Sequence, residues 1–168
     1  MTEQAIKIRR LGRDEVDAFR HIRLEALRCE PASFASSYED WASLSADEWR
    51  QRLKNPVIVA FQNDEPVGLI GLLRERPRKT AHRAQIVMVY VRKNWRGSGL
   101  AKKLLDAITN YAQETDVTQL ELSVSAENPI AIRFYEREGF TEIGRVPAGI
   151  THEGRGIDDV LMVRCLPQ

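Results

Sequence analysis

The sequence predicts a mixed α/β fold in which a central sheet of about seven strands is flanked by about four helices. First, the apolar run Ile86 to Val91 leads through a glycine turn directly into an amphipathic helical pattern. Second, residues 57–61 and 67–73 are apolar runs separated by Asn63-Asp64-Glu65-Pro66, a composition that favours a hairpin turn. Third, the last part of the chain alternates strand and helix patterns. We expect one domain, residues 1–168.

Charge, cysteine spacing and hydropathy argue against several classes of protein. The chain has 25 basic and 24 acidic residues, so a nucleic-acid partner is not expected. Cys29 and Cys165 lie far apart without metal-ligand spacing, which favours buried or idle thiols in a reducing compartment and no metal site. The N-terminal residues do not resemble a signal peptide, and the apolar runs are strand-sized. We therefore expect a cytoplasmic protein that does not associate with a membrane.

The first part of the chain predicts a strand, two helices and a loop between them. Residues 5–11 alternate apolar and charged side chains, as in a half-exposed strand. Asp14 is expected to cap a helix that Pro31 ends. Residues 30–44 show no periodicity and predict a loop. Ser45-Ala46-Asp47-Glu48 is a capping box for a short second helix. The inward face of the first helix is predicted to hold Val16, Phe19, Ile22 or Arg23, Ala26 and Leu27.

The last part of the chain predicts a strand, a well-capped helix and a hairpin. Residues 118–125 alternate apolar and polar side chains. Asn128 is a predicted N-cap, Pro129 suits the first helical position, and Gly139 is a C-terminal stop. The chain then closes with a hairpin of residues 140–146 and 157–166 around residues 147–155.

The glycine turn after the central strand is the strongest chemical signal. Arg96-Gly97-Ser98-Gly99-Leu100-Ala101 stands where a helix begins, so free backbone N–H groups would point at a phosphate or pyrophosphate. A tight turn without a ligand is the alternative. The chain lacks the Gly-Lys-Ser/Thr of a Walker loop, and Lys102 stands where the dinucleotide fingerprint requires glycine.

This turn resembles the acyl-CoA-binding motif of the GCN5-related N-acetyltransferase (GNAT) superfamily, Arg/Gln-x-x-Gly-x-Gly/Ala. The Val-Tyr-Val before it is also typical of that family. A second block, Asn-x-x-Ala-x-x-x-Tyr-x-x-x-Gly-Phe, resembles the family's next motif. The two blocks occur in the family's order, and the resemblance covers essentially the whole chain. The matching residues are Arg96, Gly99 and Ala101 in the first block, and Asn128, Ala131, Tyr135, Gly139 and Phe140 in the second.

The resemblance implies the mixed, mostly antiparallel GNAT sheet and an acetyl-CoA-dependent N-acetyltransferase that transfers acetyl directly to a primary amine in a ternary complex. In the family, the central strand splays from its neighbour, and pantetheine pairs with the exposed backbone, where an N–H polarises the carbonyl. Tyr135 is then the expected general acid, because a phenol of pKa about 10 stays protonated until the thiolate develops charge. The implied cofactor contacts are Val89, Tyr90, Val91, Arg96, Gly97, Ser98, Gly99, Leu100, Ala101 and Asn128.

The general base and the acceptor remain open. Many relatives carry a glutamate near the start of the central strand, where this chain has neutral Gln85. Glu121 is one alternative, and release of the amine proton to bulk water is another. The acceptor, a small-molecule or peptide amine, is expected between the loop 30–44 and the hairpin 147–159. The acidic residues there are Glu30, Glu39, Asp40, Asp158 and Asp159.

Three further questions are left open by the sequence. The competing hypothesis for function is a non-catalytic acyl-CoA-binding sensor or partner-binding module of the same fold. A homodimer is left open, as is the role of the basic loop 74–83, which could be solvated or could steer an anionic cofactor.

Overall fold

One seven-stranded sheet organises the computed structural model, which describes residues 5–168. The spatial order of the strands is β1-β2-β3-β4-β5-β7-β6. Every neighbouring pair is antiparallel except β4 and β5, which are parallel. The mixed, mostly antiparallel fold class is therefore confirmed. The strands are β1 Ile6–Arg10, β2 Val57–Gln62, β3 Glu65–Arg74, β4 Arg83–Val91, β5 Gln119–Ser125, β6 Thr141–His152 and β7 Arg155–Cys165.

The described residues form five α-helices and two short 3₁₀ helices. The α-helices are α1 Val16–Cys29, α2 Tyr38–Ala42, α3 Ala46–Arg52, α4 Leu100–Glu114 and α5 Pro129–Arg137, and the 3₁₀ helices are Pro31–Ser33 and Lys93–Trp95. The additional helix, α2, lies within the predicted loop 30–44. Its N-terminus is closed by a capping box in which Ser37 and Asp40 exchange hydrogen bonds between side chain and backbone.

Helix caps show where the local sequence patterns were sufficient and where they were not. The predicted capping box of Ser45 and Glu48 is present at the start of α3. Asn128 caps α5 with Pro129 at the first helical position, and Gly139 follows that helix with φ 93°. The predicted cap at Asp14 is wrong. The chain turns at Gly12, whose N–H donates to the Glu15 carboxylate at 2.9 Å, and α1 begins one residue after Glu15.

The final hairpin is longer than predicted. β6 and β7 stay paired from Thr141 and Val163 as far as His152 and Arg155, so Glu153 and Gly154 make the turn. The predicted turn, residues 147–155, includes these two residues but was too long, because β6 continues to His152. The ladder shifts register between Val146 and Ile150 and then continues, which the composition around Pro147 did not indicate.

Two apolar clusters cover opposite faces of the sheet. Along β2, Ile58 and Ala60 belong to one cluster and Val57, Val59 and Phe61 to the other, as the two-residue period of a strand requires. The first cluster contains the apolar residues of α4 and α5 and defines the α4–α5 face. The second contains those of α1 and α3 and defines the α1–α3 face. Among residues 5–168, no helix is both long and apolar enough to cross a membrane.

Candidate active site

The two parallel strands at the centre of the sheet separate after a short paired segment. Arg83, Ala84 and Gln85 of β4 pair with residues 119–121 of β5. Within the part of the chain described, residues 86–91 have no pairing with β5, whose other edge stays paired with β7. This separation opens a cleft of about 1300 Å³. Residues from both faces of the sheet line the cleft, so a ligand can approach it from either side.

A bulge in β4 accompanies the separation. Tyr90 pairs with Leu69 and Val87 with Gly71, so two residues of β4, Met88 and Val89, lie opposite one residue of β3. Met88 has a left-handed φ of 61°. A bulge of this kind bends the strand and strengthens its twist. The bend lies within residues 86–91, the segment of β4 that presents an unpaired backbone edge to the cleft.

The predicted pantetheine-contact residues Val89, Tyr90 and Val91 all line this cleft. The Tyr90 side chain, however, is buried against the α1–α3 face, and its hydroxyl donates to the Glu25 carboxylate at 3.1 Å. Glu25 also accepts two hydrogen bonds from Arg92. Burial and the Glu25 charge both raise the pKa of Tyr90. At this position the backbone, rather than the phenol, is therefore the group available to a ligand.

The glycine turn has the geometry of an anion site. Gly97 and Gly99 have φ of 79° and 85°, and a Cβ on either would meet no protein atom within 4 Å. Gly99 is the N-cap of α4 and contributes no side-chain cap. Among the described residues, the N–H groups of Gly97 and of 99–102 have no hydrogen-bond acceptor. Unsatisfied N–H groups at the start of a helix attract phosphate oxygens.

The side chains around the turn are already engaged with the protein. Arg96 donates to the Val91 carbonyl at 3.0 Å and to the Glu30 carboxylate at 2.7 Å. Lys102 donates to Glu138 at 3.2 Å, and the Glu138 and Asp106 carboxylates raise its pKa. The Ser98 hydroxyl donates to the Trp95 carbonyl. The backbone of the turn is thus the part left available to an anion.

Helix α5 brings the second motif to the cleft. Asn128 accepts a hydrogen bond from the Ala131 N–H at 3.2 Å and lines the cleft, so capping does not remove it from the wall. Tyr135 also lines the cleft and is 6% exposed. Its ring packs against Phe140 at a centroid distance of 5.6 Å. Burial raises the pKa of Tyr135, and its hydroxyl makes no hydrogen bond within residues 5–168. The phenol is therefore protonated at neutral pH.

The candidate general bases differ in whether they line the cleft and whether they form an ion pair. Glu121 forms a two-point ion pair with Arg83, with one contact of 2.9 Å, and is not part of the cleft wall in the described chain. Gln85 lies in the wall but carries no charge. Glu30, Glu127 and Glu138 also line the cleft, and each forms an ion pair with a basic residue.

Asp159 differs from these carboxylates. It lines the cleft, pairs in register with Ser125 of β5 and, among the described residues, forms no ion pair. Burial raises the pKa of Asp159, while a hydrogen bond with the Ser123 side chain opposes that shift. A carboxylate with a raised pKa and no cationic partner is suited to accept a proton.

The predicted acidic entrance is assembled only in part. Glu30 and Asp159 line the cleft, whereas Asp40 belongs to the α2 capping box and Asp158 accepts a hydrogen bond from the Ala148 N–H at 3.0 Å. Glu39, the remaining member of the predicted set, is exposed on α2.

The sequence did not predict that two arginines would line the cleft. Arg23 and Arg52 both line its α1–α3 side, close to the aromatic rings of Phe34 and Trp41. The sequence left Ile22 and Arg23 as alternatives for one inward position, and the structure buries both.

A model of the acetyltransferase (GNAT) family matches residues 18–140. Mycothiol acetyltransferase from Brachybacterium faecium is 32% identical over 119 residues, which span 67% of this chain and 36% of that protein. N-alpha-acetyltransferase 30 from Schizosaccharomyces pombe is 32% identical over 88 residues, spanning 52% of this chain and 59% of that protein. The matches thus span less than two thirds of these relatives' lengths.

Solved structures resemble the chain over nearly its whole length. Ribosomal-protein-alanine N-acetyltransferase from Brucella melitensis has a TM-score of 0.76 and 26% identity, over 95% of this chain and 99% of that one. The yncA protein from Salmonella typhimurium, solved with its cofactor acetyl-CoA, has a TM-score of 0.82 and 20% identity, over 98% of this chain and 95% of that one. At 20% identity, the likeness to the yncA protein shows a shared fold alone.

Proposed function

The chain belongs to the acetyltransferase (GNAT) family, and on that premise we propose that it transfers the acetyl group of acetyl-CoA to a primary amine. The observation that carries this proposal is the separation of β4 from β5, with the open glycine turn beyond the end of β4 and Tyr135 in the cleft wall. The relatives named as acetyltransferases support it, as does a fold neighbour solved with acetyl-CoA.

The glycine turn and the β4 edge are the proposed binding site for acetyl-CoA. The backbone N–H groups of Gly97 and of 99–102 bind the pyrophosphate, while Arg96 holds the turn to Val91 and Glu30. The unpaired edge at residues 89–91 binds the pantetheine arm, and a backbone N–H there polarises the thioester carbonyl. The Asn128 amide is a further contact for the same arm.

Proton transfer is assigned to two residues in the cleft wall. The neutral amine attacks the thioester carbonyl carbon, the C–N bond forms, and the C–S bond then breaks. Tyr135 gives its proton to the departing thiolate, and its raised pKa keeps that proton available at neutral pH. Asp159 accepts a proton from the amine, which the neutral Gln85 cannot do.

Direct transfer in a ternary complex is favoured over an acyl-enzyme. A cysteine nucleophile would have to reach the cleft, and in the described structure neither cysteine does so. Cys29 lines a smaller pocket that adjoins the cleft at Tyr90 and Arg96, and Cys165 lies at the end of β7. Both cysteines are exposed, so the expectation of buried thiols is wrong. Initial rates measured over both substrates should therefore give intersecting double-reciprocal lines, whereas an acyl-enzyme would give parallel ones.

The experiment that tests the proposed function measures CoA thiol release with a panel of primary amines. Transfer requires release that depends on both acetyl-CoA and the amine. Tight acetyl-CoA binding without transfer to any amine would favour the sensor hypothesis, for which a buried acid and an unpaired carboxylate have no use. A cytoplasmic location remains a prediction, and a homodimer remains open.

A further inference from the structure

Arg23 is a buried cation that has no counter-ion among residues 5–168. It lies in the middle of α1, is 3% exposed, and its Nε and Nη1 atoms have no hydrogen-bond partner in the described structure. The pKa of Arg23 is lowered to about 10, first by burial and then by the charge of Arg52. The guanidinium is therefore still charged at neutral pH. A buried charge without a partner is costly, so its presence in a cleft wall needs an explanation.

Aromatic rings contact this guanidinium, but they leave its Nε and Nη1 atoms without a hydrogen-bond acceptor among the described residues. The Cζ atom of Arg23 lies 4.4 Å from the ring centre of Trp41 and 4.9 Å from that of Phe34. The Cζ atom of Arg52 lies over the same Trp41 ring at 4.7 Å. Cation–π contacts stabilise the charge over the ring faces. The N–H groups of arginine point outward in its own plane, where they require oxygen acceptors.

The position of Arg23 argues against a role in binding the CoA phosphates. Arg23 belongs to the α1–α3 side of the cleft, whereas Tyr135 and the first residues of α4 pack on the α4–α5 face. Arg52 precedes Pro56, whose carbonyl accepts from Leu72, and Leu72 pairs with Ile86 near the start of β4. The glycine turn instead follows the far end of β4. Arg23 shares the Trp41 ring with Arg52, so both cations lie on the side of the cleft where we expect the acceptor to enter.

We propose that Arg23 and Arg52 bind a carboxylate of the acceptor, so that the acceptor is a primary amine that also carries a carboxylate, as amino acids do. The proposal rests on the transferase function and narrows its acceptor. A carboxylate offers two coplanar oxygens to the N–H groups of a guanidinium, and the Nε and Nη1 atoms of Arg23 have no acceptor among the described residues. It also relieves the repulsion between the two cations.

Transfer assays with matched acceptors test this proposal. Each amino acid is compared with its own carboxamide, which keeps the amine and side chain but has no negative charge. O-Phosphoethanolamine and ethanolamine form a second matched pair that tests phosphate in place of carboxylate. For the best acceptors we expect kcat/KM to favour the acid over the carboxamide by about 100-fold.

Substitutions of the two arginines test whether these residues cause the preference for the acid over the carboxamide. Arg23→Met should abolish the preference for acid over carboxamide and leave the affinity for acetyl-CoA unchanged. Arg20→Met is the matched control, because Arg20 is an exposed arginine one turn earlier in α1 that stacks on Trp49 at 5.9 Å. It should retain the full preference. If Arg23→Met does not fold, two other variants test the same site. Arg23→Lys keeps the charge, and Arg52→Met changes a half-buried residue. Each should reduce the preference for the acid by about tenfold.

A binding measurement tests the carboxylate site independently of acetyl transfer. Calorimetry on the CoA-saturated protein uses the same acids, carboxamides and phosphate pair. Selective binding of acids that Arg23→Met abolishes supports the carboxylate site, even if no transfer occurs and the transferase proposal fails. Equal use and equal binding of acids and carboxamides would overturn the carboxylate site while leaving transfer intact. Preference for O-phosphoethanolamine over every acid would also overturn it.

Discussion

Replacing Gly99 by valine tests the proposed pyrophosphate site. The substitution also lowers the stability of the fold, by an amount that follows from the backbone angle. Gly99 has φ of 85°, a region that costs an L-residue about 1–2 kcal/mol and a β-branched residue at least that much. A Cβ at Gly99 meets no protein atom within 4 Å, so no internal clash adds to this strain. For a chain of this size, the melting temperature should fall by about 2–8 °C.

The effect on binding should be separate from that strain. The valine side chain would fill space that no described protein atom occupies, next to the free N–H group of residue 99, which is one of the N–H groups proposed to bind the phosphate oxygens. Loss of close approach to even one of these groups should weaken acetyl-CoA binding by at least about tenfold, or 1.4 kcal/mol. Calorimetric titration with acetyl-CoA measures this change directly.

Gly154 provides a matched control for the strain. It has φ of 76°, its added Cβ would also meet nothing within 4 Å, and it lies in the β6–β7 turn. Gly154→Val should therefore lower the melting temperature by a similar amount while leaving acetyl-CoA affinity unchanged. Equal affinities in folded Gly99→Val and Gly154→Val would refute the location of the pyrophosphate site.

Three further substitutions test the proton-transfer residues. Tyr135→Phe removes only the hydroxyl, so kcat should fall about 100-fold with little change in acetyl-CoA affinity; normal turnover would assign the proton to water. Asp159→Asn should lower kcat/KM by about 100-fold or more and remove the acidic limb of its pH profile, because burial raises the Asp159 pKa and the base works only when ionised. Glu121→Gln should leave kcat unchanged, since Glu121 is paired with Arg83 outside the cleft; a loss as large as that of Asp159→Asn would restore it as a base candidate.

The titration of Asp159 also predicts how stability changes with pH. Its carboxyl pKa is higher in the folded than in the unfolded protein, so the folded state holds the proton more tightly. Its contribution to stability is therefore largest below the unfolded pKa of about 3.9 and is lost as pH rises through the folded pKa. Asp159→Asn should remove this dependence. Melting curves collected across that range measure the difference, and identical pH dependence in both proteins would contradict the assignment.

Features that depend on a few consecutive residues could be predicted from the sequence. The strands, the Ser45 capping box, the Asn128 cap and the glycine junction each depend on a few consecutive residues, and the structure contains all of them. Helix α2 was missed because its five residues are too few to show a helical period. Asp14 was chosen as a cap for its chemistry, but the turn at Gly12 brings the Glu15 carboxylate to the backbone instead.

The candidate site depends on contacts between distant segments, which the sequence could not resolve. The sequence did not distinguish between the five acidic residues at the predicted entrance. Only the tertiary structure shows that Asp159 lines the cleft and forms no ion pair with the residues described. Glu121 looked like a free carboxylate until the parallel register of β4 and β5 placed it against Arg83. Arg23 shared an inward position with Ile22, and its lack of a counter-ion became visible only once α2 and α3 were placed around it.

The most direct test of the transferase proposal is the fate of the acetyl group. The protein is incubated with isotopically labelled acetyl-CoA and the amine panel, and mass spectrometry measures labelled N-acetyl product and free CoA together. We predict that both appear in equal amounts, that their formation requires the amine, and that Tyr135→Phe slows both alike. Free CoA formed without an acetylated amine, or labelled acetyl-CoA that binds and is recovered unchanged with every amine, would contradict acetyl transfer in this cleft.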